Sequence, residues 1–130
     1  MSSFDSKKLP SAEDVIAPDG SEVRVLLALR GGSMAHFQLQ AGRVARAIRH
    51  KTVEEIWYFL SGRGEMWRSD GTHEETTAVS AGVSVTLPVG TTFQFRASPK
   101  GPLAAIAITM PPWPGDDEAE IVAGKWKPTV

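Results

Sequence analysis

Turns recur along this chain at intervals of roughly ten residues, and that spacing admits short strands far more readily than helices. The turn signals are Asp19-Gly20, Gly31-Gly32, Ser61-Gly62, Asp70-Gly71, Val89-Gly90, Lys100-Gly101 and Pro114-Gly115. Glycine reaches positive φ without strain, and an Asp side chain closes a turn on its own backbone. Between the turns apolar and polar residues alternate. Val23, Val25, Leu27 and Leu29 flank Arg24, with Arg30 closing the run; Val83, Val85 and Leu87 flank Ser84 and Thr86; Phe93 and Phe95 flank Gln94. The one helical candidate is Ser11–Ile16, where Ser11 and Asp14 have capping-box spacing. The expectation is an all-β, antiparallel fold with little or no helix.

A chain of 130 residues suits one domain with a real core. The pattern predicts an N-terminal arm over 1–22, a barrel over 23–112 and a C-terminal arm or tail over 113–130. With 0 Cys, disulfides, thiolate metal sites and thiol nucleophiles are excluded. Lys+Arg 14 against Asp+Glu 15 gives a net charge of −1, which argues against a nucleic-acid partner. Neither a long apolar span nor a signal-peptide core is evident, so the expectation is a cytoplasmic protein with no membrane partner. No phosphate-binding glycine loop and no Gly-x-Ser-x-Gly elbow is present.

Strand parity sorts the remaining chemistry, because alternate side chains face opposite ways. Over 34–40, His36, Gln38 and Gln40 share one face and Phe37 and Leu39 the other. Over 43–50, parity groups Arg46, Ile48 and His50. Over 55–60, Glu55, Trp57 and Phe59 oppose Ile56, Tyr58 and Leu60; apart from Glu55 both faces are apolar, as in a strand covered on both sides. His50, five residues before Glu55, is the carboxylate's natural partner.

The run Gly42-x5-Ile48-x-His50-x4-Glu55-x6-Gly62 resembles the first cupin motif, with Ile48 where a second His ordinarily stands. Gly82-x5-Pro88-x-Gly90-x2-Phe93-x3-Ala97 resembles the second, with Phe93 in place of His and Ala97 in place of Asn. The stretch 50–58 is similar to that of small bacterial cupins. The resemblance implies a double-stranded β-helix, a jelly-roll barrel with a pocket at one end, and a homodimer built through outer strand faces. It also implies a degenerate metal site. A typical cupin holds one divalent ion with two His and a Glu from the first motif and one His from the second; here only His50 and Glu55 remain. Two ligands fall short of the three usual in catalytic sites, so the expectation is no metal; a divalent ion, if held by His50 and Glu55, would need His36 or Gln38 to reach in from a neighbouring strand. His73 sits in a polar turn far from the motif.

In a dry pocket, burial acts against the charged form of each of His50 and Glu55, while their attraction favours the ion pair. Such a pair suits general acid–base work. The reading therefore assigns His50, Glu55 and Arg46 to catalysis, Arg46 orienting an anionic or carbonyl substrate. His36, Gln38, Ile48, Trp57, Phe93 and Phe95 are assigned to substrate binding, the aromatics as flat walls. The function expected is metal-independent proton transfer on a carbonyl or cyclic small molecule, of isomerase, epimerase, lyase or cyclase type. Two alternatives stand beside it: a non-catalytic ligand-binding cupin, and a metal-dependent, dioxygenase-like cupin with a non-standard ligand set. The blander readings are a structural His50–Glu55 pair, Arg46 bound to Glu55, and aromatics serving only as core. Pro111–Gly115 reads equally as a lid over the pocket or as a dimer-contact arm.

Overall fold

A computed structural model describes residues 4–130; the first three residues of the expected N-terminal arm lie outside it. Among the described residues, eleven strands form two antiparallel sheets. The first has the order β1 (Val15–Ile16), β2 (Glu22–Leu29), β3 (Gly32–Leu39), β10 (Leu103–Met110), β5 (Glu54–Ser61), β8 (Ser84–Leu87). The second runs β11 (Ala119–Ile121), β4 (Ile48–His50), β9 (Thr92–Ala97), β6 (Arg63–Ser69), β7 (Glu74–Ser80). The only helical turn among the described residues is a 3-10 turn, Asp116–Glu118. This is the all-β, double-stranded β-helix architecture. No helix among the described residues is long and apolar enough to cross a membrane.

The helical candidate near Ser11 is a pair of bends leading into β1. Asp14 is spent on strand pairing instead: its backbone N–H donates to the Val23 carbonyl at 2.8 Å and its carboxylate accepts the Val25 N–H at 2.7 Å.

The core lies between the sheets, where alternation brings Trp57, Phe59, Phe93, Phe95, Met66, Leu39 and Leu103 together. Trp57 is its hub. It stacks on Phe37 with centroids 5.0 Å apart and meets Phe95 and Phe93 edge-on at 5.1 and 5.9 Å. Each such pair contributes about 1 kcal/mol beyond area burial. Gly62 has φ +83°, and a Cβ there would run into the Pro102 carbonyl, which accounts for glycine at this motif position.

Strand β5 departs from the expectation of cover on both faces. Glu55, Trp57 and Phe59 are buried, while Ile56, Tyr58 and Leu60 are 45%, 50% and 42% exposed in the single chain. The outer face of β9 is covered by the C-terminal segment instead. Gln94 donates to the carbonyls of Ala45 and Trp126 at 2.9 and 2.8 Å and accepts the Trp126 N–H at 2.9 Å.

Candidate functional site

At one end of the barrel a cavity of about 310 Å³ opens between the sheets. Its polar floor comes from the ends of β4 and β5. Residues 51–53 join these strands and are held by one side chain, Glu118. Its carboxylate accepts the backbone N–H of Thr52 and of Val53, at 2.6 and 3.2 Å, and the Thr52 hydroxyl. Burial acts to raise the Glu118 carboxyl, but these hydrogen bonds outweigh it and hold the group below its ordinary value.

With that connection fixed, His50 and Glu55 face each other, Nδ1 to Oε2, at 3.0 Å; their side chains are 6% and 2% exposed. The contact is short but poorly aligned, since Oε2 has no well-directed hydrogen-bond partner. The other oxygen, Oε1, accepts the Trp57 indole N–H at 3.3 Å. His50 Nε2 makes no hydrogen bond to another described residue, and the ring is bracketed edge-on by Phe93 and Trp113 at 5.4 and 5.3 Å. A carboxylate beside Nδ1 favours the tautomer protonated on that nitrogen, with Nε2 as the basic one.

Ile48 and Phe93 are paired in register across β4 and β9, and both line the cavity. At the two positions where the motif resemblance implies imidazoles, the wall is hydrocarbon. Among the described residues no three His, Asp or Glu side chains converge as metal ligands. The donor set does not fit a cupin metal.

Of the residues predicted for the site, His50, Glu55, Ile48, Trp57 and Phe93 line the one cavity. Four do not. Arg46 is exposed, its Nε bonded to the Val130 carbonyl at 3.0 Å. Parity misplaced it because 43–47 is no strand: β4 begins at Ile48, and only an isolated bridge at Val44 precedes it. His36 and Gln38 do share a face, but it is the outer one, since Phe37 and Leu39 turn inward. Phe95 lies deeper, packed on Trp57 and opposite Met66.

Sequence reasoning missed Asp19 and left Trp113 undecided. Asp19 is 2% exposed and lines the cavity; the Asp-Gly pair signals a turn equally well, so nothing in the sequence marked it as more. Trp113 lines the cavity with Pro112, its N–H donating to Ser33 Oγ at 2.9 Å, so this chain's own Pro-rich segment forms part of the cavity wall.

Residues 35–109 match the family described as Cupin domain. Among curated proteins none matches significantly. Among solved structures, a conserved protein with a double-stranded β-helix domain from Klebsiella pneumoniae is 16% identical, covering 80% of this chain and 85% of its own, with a TM-score of 0.66. The capsular polysaccharide assembling protein CapF of Staphylococcus aureus has a TM-score of 0.72 at 16% identity, covering 90% of this chain but 35% of CapF. Pac13 of Streptomyces, solved as a variant with uridine, is 13% identical over 92% of both chains, with a TM-score of 0.69; it is described as a nucleoside dehydratase. At these identities the likeness is one of fold.

Proposed function

This chain belongs to the cupin domain family, and from that premise we propose that it is a metal-independent proton-transfer enzyme acting on a small carbonyl or cyclic molecule. The observation that carries the reading is the buried His50–Glu55 pair, 3.0 Å apart, at the base of an aromatic-walled cavity. His50 Nε2 takes a proton from carbon next to a carbonyl. Glu55 stabilises the imidazolium that forms, and Trp57 holds Glu55 in place. Trp113 and Phe93 keep the imidazole oriented and exclude water from it. Dehydration, the activity in the description of Pac13, is itself an elimination driven by proton transfer and supports the class.

Deuterium uptake next to the carbonyl of cyclohexanone in heavy water, read by NMR with EDTA present, tests the reading. The wild type should exchange faster than buffer, and His50→Ala and Glu55→Gln should lose about 10²-fold. Cyclohexanone binding without exchange in any form would instead favour a ligand-binding cupin, a reading to which the largely hydrocarbon wall also lends itself.

The same proposal includes a homodimer through the outer face of the first sheet. There Ile56, Tyr58 and Leu60 are exposed beside the half-buried Ile106 and Ile108. Light scattering should give twice the chain mass for the wild type and the single-chain mass for Tyr58→Glu.

A further inference from the structure

Beyond His50 and Glu55, the cavity is lined by two further ionisable residues, Asp19 and Asp116, of which Asp19 is buried and unused by the His50–Glu55 chemistry. Asp19 stands in the loop between β1 and β2. Its Oδ1 accepts the Ser21 backbone N–H at 2.9 Å and the Ser21 hydroxyl at 2.6 Å. One oxygen therefore satisfies the turn. Oδ2 makes no hydrogen bond to any described residue, although Asp19 is one of the residues lining the cavity. The loop is anchored independently, by the Arg46 N–H on the Asp19 carbonyl at 2.8 Å.

The electrical surroundings are one-sided. No Lys or Arg is among the described residues lining the cavity, whereas Asp19, Glu55 and Asp116 are. A carboxylate or phosphate substrate would find no counter-charge there. Burial acts most strongly on Asp19 and raises its carboxyl; the Ser21 hydrogen bonds lower it, Glu55 raises it further and His50 lowers it, leaving the group above its ordinary value. With both donors on Oδ1, Oδ2 is the oxygen that carries the proton when the Asp19 carboxyl is neutral.

We infer that Asp19 is the general acid of this cavity, delivering its Oδ2 proton to an oxygen of an uncharged β-hydroxy carbonyl substrate. The inference rests on the proton-transfer reading of His50 and Glu55. His50 Nε2 removes the proton from the carbon between the carbonyl and the hydroxyl-bearing carbon. That electron pair forms the C=C bond, the C–O bond to the hydroxyl breaks, and the Asp19 proton joins the departing hydroxyl as water. The products are an enone, water, a His50 imidazolium and an Asp19 carboxylate. Proton return from imidazolium to carboxylate through water restores both groups, with no change of oxidation state overall.

The test uses β-hydroxycyclohexanone, whose dehydration to cyclohexenone is read by ultraviolet absorbance across pH. Asp19→Asn retains the Oδ1 acceptor that closes the loop. It should lower the rate by about 10²-fold while leaving the protein folded. The wild-type rate should fall as pH rises through the Asp19 ionisation, and Asp19→Asn should lack that limb. Since His50, Glu55 and Asp116 share the cavity, the limb is assigned by carbon-13 titration of the wild-type Asp19 carboxyl, whose midpoint must match. A mismatch, or an Asp19→Asn variant with wild-type rate and limb while His50→Ala is inactive, overturns Asp19 as the acid and leaves the His50 base standing. A wild type without turnover of either ketone overturns both.

Discussion

The chain places two buried histidines in opposite electrostatic settings. His50 and His36 are each 5% exposed. His50 faces the barrel interior with a carboxylate 3.0 Å from Nδ1. His36 sits on the outer face of the first sheet, in a groove of about 410 Å³ that it shares with Gln38 and Arg24. That Arg24 is tied down by the carbonyls of Pro10 and Ser11 at 3.0 and 3.3 Å and by Gln38 at 3.4 Å. Burial, and then the Arg24 charge, push the His36 imidazole below its ordinary value, and its Nδ1 has no partner. Burial is common to the two rings, and the sign of the neighbour separates them: a carboxylate favours an imidazolium, and a guanidinium opposes it.

The largest expected effect sets the two rings against each other. Glu55→Gln should cost about 10²-fold in cyclohexanone exchange, and His36→Gln should leave the rate within about twofold; a comparable loss at His36 would break the contrast.

The next concerns Glu118, which fixes the His50–Glu55 connection. Glu118→Ala should destabilise the fold by about 2–3 kcal/mol in urea unfolding, because it strands the Thr52 and Val53 donors. The Glu118 carboxyl lies below its ordinary value of 4.5 when folded. Its contribution is therefore fully present above pH 4.5 and is lost as pH falls through the lower folded value.

The smallest effect belongs to the outer ring. With His36 held below its ordinary 6.5, the stability it confers is present above pH 6.5 and lost as pH falls through its folded value. That bend should be missing from urea titrations of His36→Gln. Asp19 has the opposite sign. Its carboxyl is raised from 3.8, so its contribution is complete below pH 3.8, is lost as pH rises through the folded value, and is absent in Asp19→Asn.

Much of this was legible beforehand. Turn spacing foretold the all-β class, and the motif spacing assembled His50, Glu55, Ile48 and Phe93, which do meet at one cavity. The same rule of alternation failed at Arg46, where the backbone is not a strand. At His36 and Gln38 it grouped the side chains correctly without revealing which side was inside, because both faces of β3 mix polar and apolar residues. Asp19 was visible only as a turn former, a role it also fills.

Turn chemistry and strand periodicity are local, set by each residue's φ preference and its immediate neighbours, and the amino-acid sequence alone determines them. Tertiary structure alone decided which face of β3 turns inward, that the Asp19 loop closes over the cavity, and that Glu118 and Trp113, more than sixty residues along the chain from His50, respectively clamp its connection and wall its ring. Those outcomes depend on contacts between segments distant in sequence, where the charge and burial that give a side chain its chemistry come from residues no local pattern can name.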